Sequence, residues 1–294
     1  SAGGAASATG WNEGDANIPT QSAAALGDSN SGMHLTIAIL AALLQREHTG
    51  KGSYVYQSMQ DAVINLCRIK LRDQLMLDNL GALPFYAVYP NYKWGKAIPR
   101  SENSEGGQVI GWTYKAKGWE TDPNAYVYIV IQNKNKSWET IANTMGHPEW
   151  ATDERFKDWE HRQLHKQEIY PLIESYTKNY DKYELTKKLG EAGIPVGPVL
   201  DWHELENDPD LNKDGTLVKI NQGGNRGEFK TVGMPFTMSN YKPTYKRAPD
   251  LGENNKEILS SLGYDPEQIE ELVAKGVISK VEKPHNPRTK VIKY

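Results

Sequence analysis

The sequence has almost no cysteine, no long hydrophobic run and little net charge. Of its 294 residues only Cys67 is a cysteine, which excludes a disulfide scaffold and a zinc site built on several thiolates. The longest apolar stretch, Leu35 to Leu44, has about half of the roughly 18 residues that a membrane-spanning helix needs. A formal net charge of −3 gives no electrostatic reason to expect nucleic-acid binding. We therefore expect neither a membrane nor a nucleic acid as a partner.

Common enzyme motifs are also missing. The chain has no G-x-x-x-x-G-K-[ST] phosphate loop, no H-E-x-x-H, no G-x-S-x-G and no G-x-G-x-x-G after a strand. His161 and His165 have the helical spacing of metal ligands, but Arg162 and Lys166 beside them favour a solvated helix face. Cys67 lies on the apolar side of a predicted helix and is interpreted as a small core residue. We expect no metal site and no permanently bound cofactor.

Residues 1–83 are predicted to contain two helices and a strand. Asp28 and Ser29 are candidate caps for a first helix whose apolar residues recur up to Leu44. So many apolar residues with so few charges predict that this helix is largely buried. A strand at 52–58 and a second helix at 60–80 follow, and this order indicates an α/β layer. The second helix is expected to direct these charged residues outward: Arg68, Lys70, Arg72 and Asp73.

The rest of the chain divides by composition. A loop-rich connection begins at residue 84 and leads into a small α+β domain. The strands and helices predicted for that domain are 112–117, 126–132, 137–145, 161–179 and 182–192. Those predicted after it are 193–199, 202–207, 217–220, 231–232, 236–238, 252–263 and 266–275. The expected segments are therefore 1–83, 84–192, 193–278 and a basic tail, 279–294.

Asp28 is the first candidate for chemistry. It lies in the stretch Gly27-Asp-Ser-Asn-Ser-Gly32, where a loop meets a predicted helix. An ordinary helix cap would explain an aspartate there. However, Ser29 could cap equally well, and the flanking glycines would let a bulky ligand approach. The helix N-terminus would favour the ionised carboxylate that a nucleophile requires. The residues alone leave both interpretations open.

The second candidate is a glycine pair inside the long loop. Gly106 and Gly107 permit close backbone approach, and Gln108 offers both a donor and an acceptor. A plain turn is the alternative interpretation. By itself this motif is a weak indication of function.

Several long blocks resemble the formyl-CoA:oxalate CoA-transferases, which belong to the family III CoA-transferases. They are SAALGDSNSGMH, SMQDAVINLCRIKLRDQ, GWTYKAKGWETDPNAYVY, HPEW, GIPVGPV, TVGMPF and RAPDLGE. The resemblance covers nearly the whole chain in order and departs from the family beyond about residue 277. It implies the family III fold, an α/β fold with part of a Rossmann-like large domain plus a small α+β domain.

The resemblance also implies roles for individual residues. Asp28 matches the covalent nucleophile, and Gly106, Gly107 and Gln108 match the end of a mobile glycine loop that contacts substrate. Glu105 replaces an earlier glycine of that loop, and an acidic residue there would disfavour a dianion such as oxalate. We expect backbone donors after Asp28, at Ser29 and Asn30, to support the developing oxyanions.

The implied function is CoA transfer from formyl-CoA or a related short acyl-CoA to a small carboxylic acid, through an aspartyl-CoA intermediate. The CoA thioester is then a substrate, and the identities of donor and acceptor acids stay open. A 2-methylacyl-CoA racemase of the same fold is one alternative, although no histidine is paired with Asp28 in the visible motif. A non-catalytic fragment or assembly subunit is another.

The resemblance carries three expectations about the whole protein. Family members form an interlocked homodimer, and use of CoA without a leader favours a cytoplasmic location. The opening SAGGAASATG has no initiator Met and matches family sequence from mid-chain. We therefore expect the N-terminal part of the large domain to be absent, and the isolated chain to be inactive or badly destabilised.

Overall fold

The computed structural model describes residues 2–11, 18–81, 97–103, 110–213, 215–223 and 226–279. Its contacts divide the chain into two units, Ser1–Val199 and Leu200–Tyr294. The elements of the first unit are α1 (Ala5–Ala8), α2 (Leu26–Thr49), α3 (Met59–Leu66), α4 (Arg68–Leu80), β1 (Ile110–Lys115), β2 (Tyr126–Ile131), α5 (Asn135–Thr144), a 3₁₀ turn (Pro148–Ala151), α6 (Trp159–Leu164), α7 (Lys166–Thr177), α8 (Lys182–Glu191) and β3 (Val196–Pro198). Those of the second are α9 (Trp202–Asn207), α10 (Pro209–Lys213), β4 (Leu217–Asn221), β5 (Glu228–Val232), α11 (Asn255–Ser261) and α12 (Pro266–Ala274).

The first unit is built on a three-stranded antiparallel sheet in the order β1-β2-β3. The sequence of β2 alternates, so that Val127, Ile129 and Ile131 are buried while the residues between them are partly exposed. Gly111 of β1 faces Tyr128 of β2, and a Cβ at that position would collide with the Tyr128 hydroxyl. Because β3 pairs with β2, residues 196–198 belong to the first unit. The expected boundaries at 83 and 192 remain predictions about the whole protein.

Helices around this sheet complete the core. Trp138 of α5 is 1% exposed, stacks on Trp150 and meets Phe156 edge to face. Its indole Nε1 donates to the carbonyl oxygen of Trp150 at 2.9 Å. The predicted helix 161–179 is instead two helices, α6 and α7, that meet at His165.

The expected burial of α2 is wrong. Its 24 residues form one helix, yet Met33, Ile37, Leu40 and Leu44 are each about 60% or more exposed. The described elements pack α2 against α3 and leave this apolar face uncovered. An apolar period predicts that a helix has a face to bury, but it does not say which element covers it.

The predicted α/β layer is not formed by the described residues. Residues 51–58 have no strand partner there, and Tyr54 and Tyr56 point into solvent. The predicted helix 60–80 is interrupted at Cys67, which ends α3 and precedes α4. Both sheets in the described part of the chain are antiparallel.

The second unit follows some of the sequence predictions, whereas α10 was not predicted and β5 is longer than the predicted 231–232. Helix α9 has the predicted bounds, and Asp201 caps it in a capping box with Glu204. The strands β4 and β5 pair as an antiparallel hairpin. The predicted strand 236–238 is wrong, because only an isolated bridge joins Met238 to Tyr241. Most of the basic tail, 280–294, lies outside the described residues.

Trp138→Ala should destabilise the first unit by about 3–5 kcal/mol, because it opens a cavity in the core and leaves the Trp150 carbonyl without its donor. Urea unfolding followed by far-UV circular dichroism measures this loss. Trp202→Ala is the control, since Trp202 is 86% exposed and its loss should change stability by about 0.5 kcal/mol or less. Equal effects of the two substitutions would contradict the core described above.

Candidate active site

Asp28 lies in the first turn of α2. The helix begins at Leu26 with Ala25 as its N-cap, so neither Asp28 nor Ser29 is the cap that the sequence predicted. Among the described residues, no hydrogen bond or ion pair engages the exposed Asp28 carboxylate. A carboxylate here gains from the positive end of the helix dipole. The first of the two interpretations, a cap, is therefore wrong, and the carboxylate is left available to a ligand.

The first turn of α2 lies beside the start of α3 at Gly27 and Asn30, and a hydrogen bond joins the two helices at Asn30. The bare Cα of Gly27 faces Met59, and a Cβ there would come within 3.0 Å of the Met59 methyl carbon. One turn further on, Asn30 Nδ2 donates to the carbonyl oxygen of Ala62 at 2.5 Å. Both contacts lie on the side of the helix that faces α3, and Asp28 is left on the exposed side.

The backbone amides near Asp28 differ in what they can still bind. Ser29 N–H donates to the Ala25 carbonyl oxygen at 2.9 Å, and Asn30 lies one position further into the helix. The amides of Gly27 and Asp28 have no carbonyl one turn earlier within the helix, because the helix starts at Leu26. These two amides are therefore better placed to bind an oxyanion than the amides of Ser29 and Asn30, which were the donors expected from the sequence.

Gly106, Gly107 and Gln108 lie outside the described residues, as does Glu105. Before them, Glu102 adopts a positive φ of 53° and donates its N–H to the Gly10 carbonyl oxygen at 3.1 Å. The role of the glycine segment in the site stays a prediction.

A group of charged residues on α4 lies close enough to Lys166 of α7 for the charges to interact, and one member, Asp73, was expected to be exposed. Asp73 is fully buried rather than directed outward, and Arg72 donates to it through Nε at 3.0 Å and Nη2 at 2.6 Å. Burial lowers the pKa of Lys70 to about 8, opposed by the charge of Asp73 and reinforced by that of Lys166. The sequence did contain an indication that Asp73 is buried. Asp73 is four residues from the buried Leu77, so both lie on the same face of α4.

Cys67 is half-buried between α3 and α4, so the interpretation of it as a core residue is wrong. His161 and His165 each place Nδ1 beside a carboxylate of their own segment, Asp158 and Glu168. Burial raises the pKa of the Cys67 thiol, which disfavours the reactive thiolate. Within the described ranges, no three side chains of the metal-binding types come together. No helix in the part of the chain that the structure describes is long and apolar enough to cross a membrane.

Comparison with known proteins identifies relatives over most of the chain. A family model described as CoA-transferase family III matches residues 1–255. The formyl-CoA:oxalate CoA-transferases of Shigella sonnei (strain Ss046) and Escherichia coli O139:H28 are each 50% identical over 268 residues, which is 91% of this chain and 63% of the relative. The chain thus spans less than two thirds of the length of these curated relatives.

Solved structures share the fold at lower identity. A CAIB/BAIF family protein from Brucella suis has a TM-score of 0.61 and 24% identity, over 88% of this chain and 60% of its own. Rv3272 from Mycobacterium tuberculosis has a TM-score of 0.61 and 19% identity, over 87% of this chain and 61% of its own. These likenesses show the fold.

Lys70 should give the free energy of unfolding a pH dependence between about pH 8 and 10.5. In this window the unfolded lysine holds its proton more strongly than the folded one, so stability rises with pH. Lys70→Met should flatten that rise by up to about 1 kcal/mol per pH unit. The measurement is urea unfolding at several pH values, with the exposed Lys51→Met as control. If the free energy of unfolding varied with pH in the same way in wild type and Lys70→Met, the lowered pKa of Lys70 would be contradicted.

Proposed function

We propose that this chain, which belongs to CoA-transferase family III, transfers CoA from formyl-CoA or a related short acyl-CoA to a small carboxylate such as oxalate. The observation that carries the proposal is the exposed Asp28 carboxylate in the first turn of α2, with no partner among the described residues. The substrate class comes from the names of the relatives at 50% identity.

The proposed reaction begins with Asp28 as nucleophile. Its carboxylate oxygen attacks the thioester carbonyl, the C–S bond breaks, and a mixed anhydride and CoA thiolate are formed. The thiolate then attacks the Asp28 carbonyl carbon. The bond to the bridging oxygen breaks, formate leaves, and an aspartyl-CoA thioester remains on the protein.

The second half of the reaction reverses these steps with the new acid. A carboxylate oxygen of the acceptor attacks the aspartyl thioester, which gives a second mixed anhydride and frees the thiolate. The thiolate attacks the acceptor carbonyl carbon, and the Asp28 carboxylate is regenerated. No step requires a net proton transfer, so the site needs oxyanion donors and exclusion of water rather than an acid–base pair.

The amides of Gly27 and Asp28 are the proposed oxyanion donors. Each addition to the aspartyl carbonyl places negative charge on an oxygen beside the helix N-terminus, where these N–H groups lie. The proposal that Gly106, Gly107 and Gln108 contact the acid substrate rests on the family resemblance alone. The interlocked homodimer likewise remains a prediction.

A racemase is not favoured, because the curated relatives at 50% identity are named as transferases. The atom balance distinguishes the two reactions. In the transferase, one Asp28 oxygen leaves in formate and is replaced by an oxygen of the acceptor. Oxalate labelled with ¹⁸O should therefore pass one label per turnover through Asp28 into formate. A racemase would instead exchange the α-hydrogen of a 2-methylacyl-CoA with deuterium from solvent.

Asp28→Asn should lower turnover by about a thousandfold or more, because an amide cannot serve as the nucleophile. With wild type, acyl-CoA followed by hydroxylamine should leave a hydroxamate at Asp28, detected by peptide mass spectrometry. Asp61→Asn is the matched control, since Asp61 is another exposed aspartate in the first turn of a helix of the same unit.

Both variants should keep the wild-type unfolding midpoint, because both side chains are exposed. Substantial turnover by a folded Asp28→Asn protein would overturn the proposed nucleophile. Absence of any adduct in wild type would overturn the proposed function for this chain and would agree with the expectation from the sequence that the isolated chain is inactive. Labelling at a residue other than Asp28 would assign the nucleophile to that residue.

A further inference from the structure

The buried residue of α2 is an amide, whereas its largest apolar side chains are exposed. Asn30 is 6% exposed and is the single buried residue described in that helix. A buried amide is costly unless its hydrogen bonds are made. Here Asn30 Nδ2 donates to the carbonyl oxygen of Ala62, a residue of α3 that is itself fully buried. The contact between the two helices therefore has a directional, polar component close to Asp28.

The contacts of Asn30 and Gly27 share one register. Asn30 meets Ala62, and Gly27 meets Met59, so each pair is separated by 32 positions along the chain. The hydrogen bond fixes the rotation of α2 about its axis relative to α3. Gly27 adds little constraint, because its only close neighbour is the flexible end of the Met59 side chain.

The rotation set by Asn30 determines where Asp28 points. At about 100° per residue, Asp28 lies about 200° from Asn30 around the helix axis. When the Asn30 amide is bonded to α3, the Asp28 carboxylate is therefore on the opposite side, where it is exposed. Ser31, His34 and Ala38 of α2 are half-buried as well, but among the described residues none of these side chains makes a hydrogen bond to α3.

We propose that Asn30 is a positioning residue for Asp28: its side-chain amide, bonded to the Ala62 carbonyl oxygen, fixes the first turn of α2 so that the carboxylate reaches the acyl carbon. The inference rests on the proposed function, in which Asp28 is the nucleophile. The positioning role belongs to the side-chain amide of Asn30. The backbone amide of Asn30, one position beyond Ser29, has no part in it.

The test uses the isosteric substitution Asn30→Asp. An ionised carboxylate facing the Ala62 carbonyl has no proton to donate and is repelled, so the first turn loses its constraint. A protonated carboxyl has an O–H that donates to the same oxygen. Burial and this bond both favour the protonated form, so acidification from pH 8 to pH 5.5 should restore the contact. Asn30→Ala cannot be restored in this way.

Asn30→Ala also serves as the reference for other titrations. His34 of α2, whose Nδ1 lies 2.9 Å from the Asn30 carbonyl oxygen, and Asp61 of α3, next to Ala62, are present in both variants. A change with pH that occurs in Asn30→Asp and is absent from Asn30→Ala therefore comes from the new carboxyl group.

The readout is the initial rate of hydroxylamine-trapped adduct at Asp28 in the full chain, with saturating formyl-CoA. Relative to wild type at each pH, Asn30→Ala should be slower by about 10- to 100-fold throughout, since a displacement of about 1 Å can have that effect. Asn30→Asp should be similarly slow at pH 8 and should recover about fivefold or more at pH 5.5.

Thr36→Val is the matched control. The Thr36 hydroxyl donates to the Gly32 carbonyl oxygen at 2.8 Å, so the substitution removes a hydrogen bond of the same helix that does not reach α3. Its trapping rate should stay within about twofold of wild type at every pH. Unfolding midpoints of all variants show whether each is folded. If Asn30→Ala does not fold, the pH response of Asn30→Asp decides alone.

Three results would overturn the inference. Trapping in folded Asn30→Ala at the wild-type rate would show that Asp28 does not depend on the amide. An Asn30→Asp protein whose ratio to wild type does not change with pH would show that the donor to Ala62 is not what matters. If wild type itself forms no adduct at Asp28, the proposed function fails first, and this inference fails with it.

Discussion

The hydrogen bond from the Asn30 amide to the Ala62 carbonyl oxygen joins the first turn of α2 to α3. A nucleophilic carboxylate has to be exposed to its substrate, but the exposed end of a helix is its least constrained part. The bond resolves this conflict because it acts on the opposite side of the turn from Asp28.

The elements that were predicted correctly are those that their own residues specify, independently of distant parts of the chain. The alternation of Val127, Ile129 and Ile131 identifies β2 without knowledge of its neighbours, and the capping box at Asp201 specifies where α9 begins. The family was also recognisable from the sequence, because the block around Asp28 is long and unusual. The nucleophile itself came from that resemblance, since local chemistry left a cap and a functional carboxylate both open.

The predictions that failed depended on partners that a local pattern does not specify. Tyr54 and Tyr56 are of a residue type that is enriched in strands, but among the described residues no strand pairs with them. The apolar period of α2 indicated a buried helix, and its face is uncovered. Asp73 was assigned to solvent by its charge, whereas its hydrogen bonds with Arg72 allow it to be buried. In each case tertiary contacts decide the outcome.

A helix N-terminus has opposing effects on a carboxylate nucleophile. The positive end of the dipole stabilises the Asp28 carboxylate before attack, and stabilisation of the ground state alone slows the first step. In the proposed mechanism, however, the next two additions occur at the Asp28 carbonyl itself, and their oxyanions form beside the same amides. The N–H groups of Gly27 and Asp28 would then stabilise the transition states through which the aspartyl thioester forms and breaks down, rather than the thioester itself. A carboxylate in a first turn is thus suited to an enzyme in which the side chain is the acyl group as well as the nucleophile.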